Sequence, residues 1–145
     1  RIQMKSAHID MLAQSQNDND VHTMLRAWIV YDSQPNGSAA TLADIYTLNG
    51  LCAVRNMAQV KRYRVLFDSG ILNFPTAHDG VTPLGTERAY HLNQMRKFSL
   101  GVEYKSAAAN IADISTGSLY LFVTPSGGSA NTVWQATVRV KYTDV

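Results

Sequence analysis

From Thr132 to Tyr142 the chain alternates strictly. Trp134, Ala136, Val138, Val140 and Tyr142 fall on one side; Gln135, Thr137, Arg139 and Lys141 fall on the other. An extended strand points successive side chains to opposite faces, so this pattern makes a half-buried β-strand. Wound into a helix, the same residues would spread apolar and charged groups around the whole circumference.

Other segments show the same period or the same composition. Ser118 to Thr124, with Leu119, Tyr120, Leu121, Phe122 and Val123 between Gly117 and Pro125, is continuously apolar, which predicts a central strand covered on both faces. Residues 125–131 (Pro-Ser-Gly-Gly-Ser-Ala-Asn) turn the chain between these two strands. Thr23 to Asp32 and Lys61 to Phe67 are rich in aromatic and branched residues, and after the Asp68-Ser69-Gly70 turn Ile71 to Phe74 forms a short return strand. Lys97 to Tyr104 places Phe98, Leu100, Val102 and Tyr104 on one face, and Asn110 to Ser115 adds a further short strand. Ile2 to Leu12 changes phase between Ile2/Met4 and Ile9/Met11, as a β-bulge would produce.

Eight strands with connections of such unequal length predict an all-β, eight-stranded antiparallel jelly-roll sandwich rather than an up-and-down barrel. The longest connection, Ser33 to Val60, carries two short helical pieces. Thr41 N-caps Leu42, Ile45 and Leu48 at helical spacing, and Val54 to Gln59 makes another turn. Trp134 and Tyr63 are assigned to the core by phase, and Cys52 is read as a small buried residue. Trp28 shares its side of the strand with Arg26, so its environment is left open.

With 145 residues the chain suits one domain over residues 1–145. Charged residues make up 17%, low beside the usual quarter, so much of the surface suits contact; a net charge of +2 says little about partners until its distribution is known. A single cysteine excludes an internal disulfide framework, and no apolar run approaches a membrane span. The four histidines, His8, His22, His78 and His91, form no metal-ligand pair. No nucleophile elbow, catalytic trio or phosphate-gripping glycine loop is present, so neither an enzyme nor a cofactor is predicted. Asp18 and Asp20, in the run Asn17-Asp18-Asn19-Asp20, are the one weak calcium candidate; a solvated turn is the stronger reading.

Four segments together resemble the coat proteins of small circular single-stranded DNA viruses, the geminivirus-like group, and of the satellite tobacco necrosis virus type. They are residues 29–37 (Ile-Val-Tyr-Asp-Ser-Gln-Pro-Asn-Gly), 63–68 (Tyr-Arg-Val-Leu-Phe-Asp), 116–123 (Thr-Gly-Ser-Leu-Tyr-Leu-Phe-Val) and 138–144 (Val-Arg-Val-Lys-Tyr-Thr-Asp). The resemblance implies a jelly roll with strands lettered B to I in sheets B-I-D-G and C-H-E-F. Placed on these residues, strand B is Ile2 to Leu12, C Thr23 to Asp32, D Lys61 to Phe67, E Ile71 to Phe74, F Lys97 to Tyr104, G Asn110 to Ser115, H Ser118 to Thr124 and I Thr132 to Tyr142.

It also implies a capsid protein of the virion that self-assembles into a small icosahedral shell, a virus-like particle of on the order of sixty copies. Its partners are then further copies of itself and a viral genome, single-stranded DNA or RNA, with assembly in the host nucleus for a DNA virus. Such proteins carry a basic amino-terminal arm, expected upstream of Arg1. The sheet order implied by the resemblance would gather Arg1, Lys5, Lys61, Arg62, Arg64, Arg139 and Lys141 at one end of sheet B-I-D-G as a nucleic-acid-binding stripe, suited to phosphate irrespective of sequence. Arg55, Arg88, Arg96 and Lys97 fall outside it. The alternative is a lectin-like or receptor-binding jelly-roll module, which leaves the stripe without a role.

Overall fold

The computed structural model describes residues 1–15, 22–47, 50–75, 89–106, 110–126 and 132–144. The strands are β1 (Ile2–Ser15), β2 (His22–Asp32), β3 (Tyr63–Asp68), β4 (Leu72–Pro75), β5 (Tyr90–Tyr104), β6 (Ile114–Thr116), β7 (Ser118–Pro125) and β8 (Thr132–Asp144). Each expected strand is present, and β5 is longer than Lys97 to Tyr104 by seven residues at its start. The segment Asn110 to Ser115 is a 3-10 turn at Ile111–Asp113 leading into β6.

Among the described residues the strands form two antiparallel four-stranded sheets. The first has the order β6-β5-β1-β8. In the second, β2 is central: β7 runs along one edge, while β3 and β4 share the other, β3 against Trp28–Asp32 and β4 against His22–Leu25. The pairing of β1 with β8 and of β2 with β7 matches the B–I and C–H neighbours expected above. The rest of the B-I-D-G and C-H-E-F order is corrected: β3 pairs β2 rather than β8, and β5 pairs β1. Periodicity marks a strand but carries no label for its partner. The expectation that β7 is central is also corrected, since it pairs β2 alone among the described residues and its side chains are half-buried. Apolar residues on both its faces serve two neighbours: Leu119, Leu121 and Val123 pack against the inter-sheet core, Tyr120 and Phe122 against a cluster on the far side of the second sheet.

The inter-sheet core explains the phase change in β1. Pairing with both neighbours shifts register between Met4 and Ser6, so Lys5 is the bulged residue. Met4 is buried before the bulge, and Ala7, Ile9, Met11 and Ala13 are buried after it. From β2, Leu25, Ala27 and Ile29 meet them, with Phe67, Leu72 and Leu92 completing the cluster. At one end Tyr31 joins Met4, Leu100 and Val102.

The opposite side chains of β2, Trp28 and Val30, are equally buried. They lie under the 33–60 connection, which packs Ala40, Ile45 and Tyr46 onto them, together with Tyr63. The helix α1 (Leu42–Ile45) begins at Thr41, whose backbone N–H and hydroxyl both donate to Asp44 Oδ2, at 2.7 and 2.8 Å. A 3-10 turn at Met57–Gln59 replaces the second expected helix. The connection therefore roofs its own sheet and adds a third layer, more than the two helical decorations expected of it.

Tyr63 is buried, as its phase predicts. Trp134 is not: it is 44% exposed, on a strand that pairs β1 alone among the described residues. Cys52 is exposed rather than buried, on a turn of the roof at residues 51–52. In β3 a bulge between Val65 and Phe67 puts Tyr63 in the roof cluster and Phe67 in the inter-sheet core, so these two do not share a face.

Candidate nucleic-acid interface

The outer face of the first sheet can be read from register. After the bulge, Ser6, His8, Asp10 and Leu12 of β1 point away from the core. Beside them on β8 stand Lys141, Arg139, Thr137 and Gln135; on β5 stand Lys97, Met95, Asn93 and His91. Lys5 joins this face because a bulge directs two successive side chains the same way, and its Nζ donates to Gln3 Oε1 at 2.5 Å. Gln3 in turn donates to Ser99 Oγ at 2.7 Å.

Across one row of the sheet the order is therefore Lys141, Ser6, Lys97, with Lys5 beside Ser6 and Arg139 one step along β8. Neighbouring strands lie about 4.8 Å apart, so Lys97 and Lys141 flank β1 at a spacing near 10 Å. None of Lys5, Lys97, Arg139 and Lys141 joins an ion pair among the described residues. The acidic groups nearby are engaged: Asp10 Oδ1 is 2.6 Å from His91 Nε2, and Glu103 Oε1 is 3.1 Å from Arg1 Nε. The result is a face carrying four cations outside any such pair among the described residues, with Lys97, Arg139 and Lys141 exposed to the oxygens of a phosphate backbone.

The seven predicted residues separate. Lys5, Arg139 and Lys141 share the face just described. Arg1 stands at its end, paired with Glu103. Lys61 and Arg62 lie in the turn just before β3 and Arg64 lies in it, on the second sheet, and they do not join them, because β3 pairs β2. Arg62 is committed to structure: its Nε and Nη2 donate to the two oxygens of Asp32, each at 2.9 Å, and Asp32 is fully buried. That contact holds the Arg62 guanidinium above its ordinary pKa. Its plane also lies over the Tyr63 ring at 4.7 Å. Lys97, set aside on sequence, belongs to the face. The alternation of Phe98, Leu100 and Val102 already placed Lys97 opposite the core; the pairing with β1 was what the sequence did not show.

A second guanidinium is similarly engaged. Arg26 Nε and Nη2 donate to Asp68 at 2.9 and 2.6 Å, which raises the arginine and holds the Asp68 carboxyl below its ordinary range. Arg26 also lies over Trp28, 5.1 Å from its centroid. The calcium candidates Asp18 and Asp20 lie outside the described residues. Among the described residues no three His, Cys, Asp or Glu side chains group as a metal site, and no helix is long and apolar enough to cross a membrane.

Fold and face together define a β-sandwich protein with one outer face roofed and the other basic. Among proteins of known role, the chain is similar to the capsid protein of Chloris striate mosaic virus, a geminivirus: 34% identity over 140 aligned positions, covering 81% of this chain. The chain spans about half of that relative's length, 54%. No protein-family profile matches the chain.

Proposed function

We propose that residues 1–145 are the single shell-forming domain of a viral coat protein, which assembles with copies of itself into a small icosahedral particle and packages nucleic acid. The observation that carries this reading is the 34% identity with a geminivirus capsid protein along four-fifths of the chain. The fold supports it. Pairing the first strand with the last and the second with the next to last nests two long-range pairs, as the outer two pairs of a rolled strand ribbon would be.

In this reading the basic face of the first sheet turns to the lumen, and Lys5, Lys97, Arg139 and Lys141 neutralise phosphates without reading bases. Arg1, Lys61 and Arg64 contribute at the margins, and a basic arm outside residues 1–145 adds further charge. The genome is single-stranded DNA, with assembly in the host nucleus; a phosphate-directed face would also accept RNA. The role is structural rather than catalytic.

The test is expression of the full-length protein, negative-stain microscopy of the product, and its absorbance ratio at 260 and 280 nm. Closed particles of uniform diameter with a nucleic-acid absorbance signature are expected. A protein that stays a small soluble oligomer under all assembly conditions would overturn the reading.

A further inference from the structure

Strand β8 has one edge on β1 and no partner along its other edge among the described residues. Unpaired edges of this length are normally blunted or covered, because their backbone groups template further pairing. Here the edge also exposes apolar side chains: Trp134 is 44% and Tyr142 57% exposed. Tyr142 lines the mouth of a cavity of about 580 Å³ between the sheets, with Tyr104, Ile114, Leu119 and Val140.

The sequence of β8 is complementary to itself when reversed about Val138. An antiparallel copy centred there places Trp134 opposite Tyr142, Ala136 opposite Val140, and Val138 opposite Val138. On the other face Arg139 meets Thr137 and Lys141 meets Gln135, so neither cation is opposed by its like. A half-residue move of the axis would set apolar against polar side chains over the whole strand, and a whole-residue move keeps the faces together but opposes either Arg139 to itself or Lys141 to Val133.

We infer that β8 is a homotypic interface, in which two copies of this chain pair β8 edge to edge about a twofold axis at Val138. The occupant is a second copy because the register satisfies both faces at once: aromatic on aromatic at the cavity mouth, and cation on neutral polar group outside. Paired this way, the two first sheets become one continuous sheet, and their basic faces become one surface. The contact is isologous, as a twofold requires.

Two readouts test it in solution, independently of particle formation. In a Cys52→Ser background, Val138→Cys places two thiols across the axis at the separation of directly opposed strand residues, about 4.5–5.5 Å between Cα atoms, within disulfide range. Mild oxidation is expected to give a disulfide-linked dimer. Gln135→Cys alone should give none, because its two copies lie roughly 20 Å apart; mixed with Lys141→Cys protein it should cross-link. Separately, Thr137→Lys should weaken dimerisation about two- to tenfold and Thr137→Glu should strengthen it by a similar factor, since residue 137 faces Arg139 of the other copy.

The inference is overturned if folded Val138→Cys protein stays monomeric on oxidation, if Gln135→Cys self-cross-links, or if the two charge variants behave alike. It is equally overturned if the 145-residue chain cross-links and the full-length protein does not, which would assign the edge to another strand of the same polypeptide.

Discussion

Tyr31 in the second sheet donates its hydroxyl to the backbone carbonyl of Gly101 in the first, at 2.7 Å, tying the two sheets together through the end of the core. Gly117 lies directly against this link. Its φ is +79°, and a Cβ there would come within 2.3 Å of the Gly101 oxygen and 2.8 Å of the Tyr31 hydroxyl. Gly117→Ala is therefore expected to destabilise by about 2–4 kcal/mol, from left-handed backbone strain and overpacking together. Tyr31→Phe, which removes only the hydrogen bond, should cost about 1 kcal/mol. Urea unfolding midpoints of the two variants measure the difference.

The Arg62–Asp32 pair makes a sharper separation between charge that holds the fold and charge that is free to bind. Arg62→Gln leaves a fully buried carboxylate without its bidentate partner, and a loss of about 3 kcal/mol is expected. Arg64→Gln, on an exposed side chain two residues away, should change stability by less than about 0.5 kcal/mol. Thermal denaturation of both variants checks the contrast.

Asp68 predicts an acid dependence. Its carboxyl titrates below the ordinary 3.8 in the folded protein, chiefly because Arg26 donates to it. A depressed folded value contributes stability that is present above the unfolded pKa and lost as pH falls through the folded one. Asp68→Asn should therefore be less stable than the parent at neutral pH, with the gap closing below about pH 4. Denaturant midpoints between pH 2 and 7 follow the convergence.

The roof over the second sheet is part of the core, and Ile45 tests this. It is 1% exposed beneath the connection, so Ile45→Ala should cost about 2–4 kcal/mol, as in any close-packed site. Met57→Ala in the same connection, at 73% exposed, should cost almost nothing. Comparison of the two unfolding curves decides whether the connection packs or merely decorates.

Replacing Lys5, Lys97, Arg139 and Lys141 by glutamine should lower affinity for single-stranded nucleic acid and reduce the slope of log affinity against log salt by about 3, at roughly 0.7 per phosphate contact. Lys61→Gln with Arg64→Gln should change the slope by less, since Arg64 lies in β3 of the other sheet and Lys61 in the turn that leads into it. Filter binding across a salt series reads both. An unchanged slope for the fourfold variant would remove this face from the binding surface.

The alternation in β8, the glycine-and-proline brackets of β7, the phase change that marks the bulge at Lys5 and the Thr41 cap are all written into neighbouring residues, and each is legible in the sequence by itself. They depend on local backbone geometry, which repeats every two or four residues and needs no distant partner to express itself. What tertiary structure alone decided is which strand lies beside which. Hydrogen bonding between β5 and β1 brought Lys97 onto the basic face, and β3 pairing with β2 took Arg62 and Arg64 away from it. The placement of β8, paired with β1 alone among the described residues, left Trp134 exposed despite its apolar phase. Backbone N–H and C=O groups are identical in every strand, so the selection of partners falls to the long-range fit of whole faces, and no single segment contains it.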